Sequence, residues 1–264
     1  SETLNDLNLV GQGADGEKRM EVGGGQNEYA LMGFFGRLNY DYKGKYLVEA
    51  SGRYDGTSRF KRGHRWGFFP SVSVGWVMSQ EDFFQSALPK IEYFKLRGSI
   101  GTLGNDNVTA FLYRKQFAYN ASSVAFGSTP TSQGTLSNSV AFPFEDLTWE
   151  RTRTYDIGFE MSAWNGLLGV EFDYFYKYTF NILQSIGGIY PPSLGGHYPA
   201  YINDGTFDNR GFELVLRHRN RIGKFSYGVP GNLNFARNRI LSKQQADNTL
   251  PWKNVLGSSL GALW

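Results

Sequence analysis

The sequence predicts an all-β fold, an antiparallel transmembrane β-barrel segment of about eight strands. Three observations predict it. Apolar and polar residues alternate at period two in separate segments, short and long connections alternate, and no apolar run approaches the roughly 20 residues of a spanning helix. Composition agrees: 16% of the chain is aromatic and it holds 33 glycines, residues that favour strands and tight turns. A mean hydropathy of −0.40 does not oppose the reading. A spanning strand needs only about 9–11 residues, and half of them can face a polar lumen.

The first segment sets Phe34, Gly36, Leu38, Tyr40 and Tyr42 against Phe35, Arg37, Asn39 and Asp41. The second sets Tyr46, Val48, Ala50, Gly52 and Tyr54 against Leu47, Glu49, Ser51, Arg53 and Asp55. In the third, Val72, Val74, Trp76 and Met78 oppose Ser71, Ser73, Gly75 and Ser79; in the fourth, Phe94, Leu96, Gly98 and Ile100 oppose Lys95, Arg97, Ser99 and Gly101. Tyr155, Ile157, Phe159, Met161 and Ala163 alternate with Thr154, Asp156, Gly158, Glu160 and Ser162. Leu168, Val170, Phe172, Tyr174, Tyr176 and Tyr178 alternate with Gly169, Glu171, Asp173, Phe175 and Lys177. The last two segments turn Phe212, Leu214 and Leu216 away from Glu213 and Arg217, and Phe225, Tyr227, Val229, Leu233 and Phe235 away from Ser226, Gly228, Asn232 and Asn234.

Short turns fall at Lys43-Gly44-Lys45, at Asn165-Gly166 and between Asn220 and Lys224, and long connections at 56–67, 103–151 and 181–209. Such sorting describes periplasmic turns on one side and extracellular loops on the other, which a soluble sandwich has no reason to show. Tyrosine and tryptophan gather at strand ends (Tyr40, Tyr42, Tyr46, Trp66, Trp164), with Phe68 and Phe69 beside them, as residues with a buried ring and a wet tip do at a membrane surface. Between the third and fourth strands, Ser79 and Asp82 read as a helix N-terminus, followed by Phe83, Phe84, Ala87, Leu88 and Ile91 at helical spacing; Pro89 keeps this helix short. Hairpin counting places it on the periplasmic side.

Residues 1–32 read as loop, 33–241 as strands and their connections, and 242–264 as an extracellular loop. The polar faces mix Phe35 and Leu47 with charges, poor filling for a closed eight-stranded barrel, so the chain reads as part of a larger wall. This sets aside a small complete porin-like barrel.

The absence of cysteine removes disulfides, thiolate catalysis and cysteine metal sites. A net charge of +3 is too small and scattered for a nucleic-acid surface. No basic segment followed by an apolar one opens the chain as a leader would. Gly11-Gln12-Gly13-Ala14-Asp15-Gly16 spells a dinucleotide fingerprint but lacks the strand before it and the apolar helix after it, so it reads as a flexible loop. His64, His197 and His218 lie too far apart to mark a metal helix, and nothing resembles a nucleophile elbow. Neither an enzyme, a metal nor a cofactor is expected.

Several motifs then occur in one order. Gly36-Arg37-Leu38-Asn39-Tyr40, Arg53-Tyr54-Asp55-Gly56-Thr57-Ser58-Arg59-Phe60 and Trp66-Gly67-Phe68-Phe69-Pro70-Ser71 come first. Lys95-Leu96-Arg97, Gly101-Thr102-Leu103-Gly104-Asn105, Leu147-Thr148-Trp149-Glu150, Asp173-Tyr174-Phe175 and Asn209-Arg210-Gly211-Phe212-Glu213-Leu214 follow. Together they resemble the SusC/RagA family of TonB-dependent outer-membrane transporters, from about residue 33 to 241. The resemblance implies a barrel of about 22 strands around a plug domain, energised by TonB and capped by a SusD-like surface lipoprotein. Such pairs import oligosaccharides or peptides in Bacteroidetes. The plug and the TonB box are not recognisable in this chain.

Two groups of loop residues are candidate contacts. Arg59, Lys61, Arg62 and Arg65, with His64, form a basic cluster suited to lipopolysaccharide phosphates, or to a solvated loop. Tyr190, His197, Tyr198 and Tyr201 lie in or beside a proline-rich aromatic loop that fits a sugar ring, a peptide or a lid protein, or packs on its neighbours. The competing reading of the whole chain is a soluble β-sandwich carbohydrate-binding module, whose aromatics would form a core and a sugar platform.

Overall fold

The computed structural model describes residues 28–125, 132–141, 143–186, 190, 201–245 and 249–260, with backbone alone over 116–125 and 132–141. Among the described residues ten strands form: β1 Leu31–Tyr42, β2 Tyr46–Thr57, β3 Trp66–Val77, β4 Ile91–Asn105, β5 Gln116–Ala125, β6 Ser132–Ala141, β7 Glu150–Ala163, β8 Leu168–Ser185, β9 Tyr201–Ile222 and β10 Phe225–Ser242. Eight pair in one antiparallel sheet in the order β1-β2-β3-β4-β7-β8-β9-β10, each beside its predecessor. β5 and β6 make a separate hairpin. The eight alternating segments are these eight strands; the hairpin lies inside a connection that reads as loop.

Register keeps the two faces apart. On one face Tyr40 stands opposite Val48, Val48 opposite Val74, Ile157 opposite Tyr174 and Tyr174 opposite Phe212. On the other, Asn39 meets Glu49, Lys95 meets Glu160 and Asp173 meets Glu213. A one-residue slip would exchange the faces wholesale, so the alternation fixes the pairing.

Among the described residues the apolar face has no second layer. Leu38 stays 77% exposed and Ile157 63%, where a sandwich would bury such residues between its sheets. No helix among the described residues is long and apolar enough to cross a membrane, which says nothing of strands. An oblique ribbon of stacked rings crosses the apolar face: Phe94 on Phe159 at 5.7 Å, Phe159 on Phe172 at 5.8 Å, Phe172 on Phe212 at 6.2 Å and Phe212 on Phe235 at 5.9 Å. Each contact of this kind contributes about 0.5–1.5 kcal/mol beyond area burial.

Short turns close one end. Lys43 and Gly44 both take positive φ (57° and 66°), as a two-residue turn matching strand twist requires. Asp41 Oδ1 accepts from the Gly44 N–H at 2.6 Å. The β3–β4 link carries a 3₁₀ turn, Met78–Gln80, and a helix α1, Asp82–Ala87. Ser79 does not cap α1: it lies buried in the preceding turn, and its carbonyl accepts from Gln85 Nε2 at 3.0 Å. Glu81 takes the cap position with extended backbone, and Phe84 stacks on Phe94 at 5.4 Å.

Candidate functional site: an inner wall and its loop core

The polar face is the concave one in a barrel wall, and its side chains form a charged trough. Arg97 on β4 is the hub. Its Nε donates to Asp173 Oδ1 at 3.1 Å, its Nη2 to Asp173 Oδ2 at 2.5 Å and its Nη1 to Glu160 Oε1 at 2.9 Å. One planar guanidinium thus ties β4 to β7 and β8, the bidentate geometry that arginine provides and lysine does not. Further along, Arg217 on β9 pairs with Glu171 on β8. Lys95, Asp156, Lys177 and Glu213 line the same depression together with Asn39, Glu49 and Ser73. Both signs are present, so the surface can hold a zwitterionic or hydroxyl-rich solute without a strong net field.

The long-connection end carries the compact core of the described residues. Phe60 and Leu147 are 0% exposed and Trp149 4%, and they pack with Phe69. Val108, Leu112, Phe144 and Leu183 pack against this cluster. Trp149 meets Phe60 and Phe69 edge-on at 5.5 and 5.2 Å, and its Nε1 donates to the Arg65 carbonyl at 3.0 Å. The Thr57 N–H donates to that carbonyl too, at 3.1 Å. Phe69 therefore belongs to this loop core, although its place at a strand end reads as a membrane boundary.

At the other end Glu81 is a clasp. Its Oε1 accepts from Tyr46 Oη at 2.9 Å and Trp76 Nε1 at 3.3 Å, and its Oε2 from Lys45 Nζ at 3.1 Å. These donors, the Tyr46 hydroxyl first and the Lys45 ammonium next, hold the Glu81 carboxyl below the usual carboxylate range.

The structure places the loop cations unequally. Arg59 Nη1 donates to the carbonyls of Asp106 and Val108 at 3.1 and 2.8 Å, and its guanidinium lies 4.5 Å from the Tyr29 ring centre. Arg65 Nε donates to the Phe60 carbonyl at 3.0 Å, and Lys61 pairs with Glu145. Arg62 is exposed. Arg59 and Lys61 tie three loops together and Arg65 braces its own, roles their sequence spacing does not reveal. Tyr201 opens β9, half-buried opposite Ser185. Tyr190 is half-buried; His197 and Tyr198 lie outside the described residues, as does the Gly11–Gly16 stretch. Among the described residues no group of three His, Asp or Glu is placed to hold a metal ion.

The family described as "TonB dependent receptor-like, beta-barrel" matches residues 5–263. The chain belongs to this family. Its barrels are outer-membrane proteins, so the apolar face of the sheet is the lipid face and the trough the lumen wall. TonB-dependent receptor P39 of Formosa agariphila is 32% identical over 89% of this chain and 22% of that protein. TonB-dependent receptor SusC of Bacteroides thetaiotaomicron is 30% identical over 83% of this chain and 22% of that protein. The chain spans about a fifth of the curated relatives it matches. Among solved structures, the RagAB peptide importer in its closed-closed state superposes with a TM-score of 0.69 at 25% identity, covering 85% of this chain and 24% of that one. Its open-open state gives 0.73 over 92% of this chain and 26% of that one, at 24% identity, a likeness of fold.

Proposed function

We propose that this chain is a stretch of the lumen wall of a TonB-dependent importer. The importer takes up oligosaccharides or peptides with a SusD-like lipoprotein above it and TonB below, and catalyses no reaction. The observation that carries this is the division of one unlayered sheet into an apolar outer face and a mixed-sign inner trough, roofed at the long-loop end by a packed core. Resemblance to the peptide importer RagAB supports a solute of that size. We assign the aromatic loop around Tyr190, His197, Tyr198 and Tyr201 to contact with substrate or lipoprotein, because rigid rings lose little entropy on binding. Of the four loop cations, Arg62 is the one we place against lipid phosphate, with Arg59, Lys61 and Arg65 positioning the loop.

The test is fractionation of cells making the whole receptor, followed by detergent extraction and uptake assays with labelled peptides and oligosaccharides. Recovery in the outer membrane as a heat-modifiable band, with a co-purifying lipoprotein and uptake lost on deletion, is expected. Recovery as a detergent-independent soluble protein refutes the reading.

A further inference from the structure

The lipid face of the sheet is uncharged through its lower part and then changes abruptly. On β7 it runs Ala163, Met161, Phe159, Ile157 and Tyr155 before reaching Arg153. On β9 it runs from His218 through Leu216, Leu214 and Phe212 to Arg210; on β10 from Phe225 through Tyr227, Val229, Gly231, Leu233 and Phe235 to Arg237. Arg210 and Arg237 stand about twelve residues above the short-turn ends of their strands. At a strand tilt of about 40° this is a height of about 30 Å, just above an apolar band of about 25 Å. All three arginines are exposed.

Their arrangement is costly without a counterion. Arg210 and Arg237 are direct cross-strand partners on the same face, and like charges so placed destabilise a sheet. Among the described residues neither has an ion-pair or hydrogen-bond partner. The nearest acid on that face, Asp208, is 2% exposed and held by Arg239 at 3.0 Å. In register beside the pair come Tyr176, opposite Arg210, and Tyr155, opposite Tyr176, which bring two phenol donors into the same row. Guanidinium forks and hydroxyls in a row, exposed to the side at the top of an apolar band, match the phosphate of a lipid lying against the wall.

We propose that this row binds the phosphate groups of lipid A in the outer leaflet, Arg210 and Arg237 holding one and Arg153 with the hydroxyls of Tyr155 and Tyr176 supporting the other. The proposal rests on the outer-membrane setting and is independent of what the lumen carries. The occupant is a lipid rather than an acidic protein because the row faces sideways, continuous with the lipid-covered surface below it.

The test uses the whole receptor in nanodiscs, titrated with bisphosphorylated lipid A and with the same lipid stripped of phosphate. Wild type is expected to bind the phosphorylated form about tenfold or more tightly, and Arg210→Gln with Arg237→Gln to erase that preference. Arg210→Lys with Arg237→Lys, which keeps the charge and loses the fork, is expected to retain part of it, and Arg219→Gln with Arg221→Gln at the opposite end all of it. Should the glutamine pair fail to assemble, the two lipids on wild type and the lysine pair decide the matter. Equal binding of both lipids by wild type overturns the proposal, as does an equal loss from the Arg210/Arg237 and Arg219/Arg221 glutamine pairs.

Discussion

Replacing Trp149 by alanine removes the centre of the loop core. The ring is 4% exposed, contacts Phe60 and Phe69 edge-on and donates to the Arg65 carbonyl. Truncations of buried tryptophan cost about 3–5 kcal/mol. The strand ladder below does not depend on this ring, so the loss falls on local opening of the 58–65 loop. That loop carries four trypsin sites, at Arg59, Lys61, Arg62 and Arg65, held down while Phe60 stays buried. Cleavage that tracks the open population should then rise by about two to three and a half orders of magnitude, at about 1.4 kcal/mol per tenfold. Trp149→Phe keeps an aromatic ring and loses one hydrogen bond. Arg65 O retains the Thr57 N–H, so the cost is about 0.5–1.5 kcal/mol and the rise about tenfold or less. The assay is timed trypsin digestion of intact outer-membrane vesicles, scored by fragment mass beside the heat-modifiable band. A Trp149→Ala receptor that keeps its heat-modifiable band yet is cut at the wild-type rate refutes the idea that this core pins the loop.

Three other outcomes are expected. A Cβ at Gly211 would overlap the Phe235 carbonyl oxygen and sit 2.9 Å from Ala236 Cα, backbone atoms that no rotamer change can move. Gly211→Ala should therefore sharply lower the heat-modifiable fraction, whereas Gly36→Ala, which meets open space, should not. Glu81 has a depressed pKa in the fold, so its contribution is present above the unfolded value and is lost as pH falls through the folded one. Glu81→Gln should lower the unfolding midpoint at pH 7, and the difference from wild type should begin to narrow only once pH falls below the ordinary carboxylate range; a gap that narrows already above that range counts against the clasp. Arg97→Gln should cost about 1–3 kcal/mol by stranding Asp173 and Glu160, and in a double-mutant cycle with Asp173→Asn a coupling near zero would show the bidentate pair to be idle.

Eight strands were legible because lipid on one side and water on the other impose an unambiguous alternation. Legibility ended where that contrast ended. β9 runs from Tyr201, yet its readable alternation covers only Phe212 to Arg217, since residues 201–210 are mostly polar and half-buried or buried on both faces, so no apolar stripe shows. Half of the residues of the β5–β6 hairpin are serine, threonine, asparagine or glutamine, and they break any sustained apolar–polar alternation, so the segment looks like loop. The inner face could be read as polar, but not its wiring. Arg97 and Asp173 are 76 residues apart, and become neighbours because β5 and β6 leave the main sheet and let β4 pair with β7. The loop core was missed although Phe60, Leu147 and Trp149 all sat in motifs that carried the family resemblance; three apolar residues in polar loops were the available signal.

The strands differ greatly in length: β1 to β3 have 12 residues each, and β8, β9 and β10 have 18, 22 and 18. At about 3.3 Å per residue, the longest strand of the eight-stranded sheet exceeds its shortest by about 30 Å of chain. The wall therefore rises on one flank like a parapet. Whatever is carried at its summit is held up by backbone ladder rather than by side-chain choice. The tip thus keeps its elevation when its outward-facing side chains change.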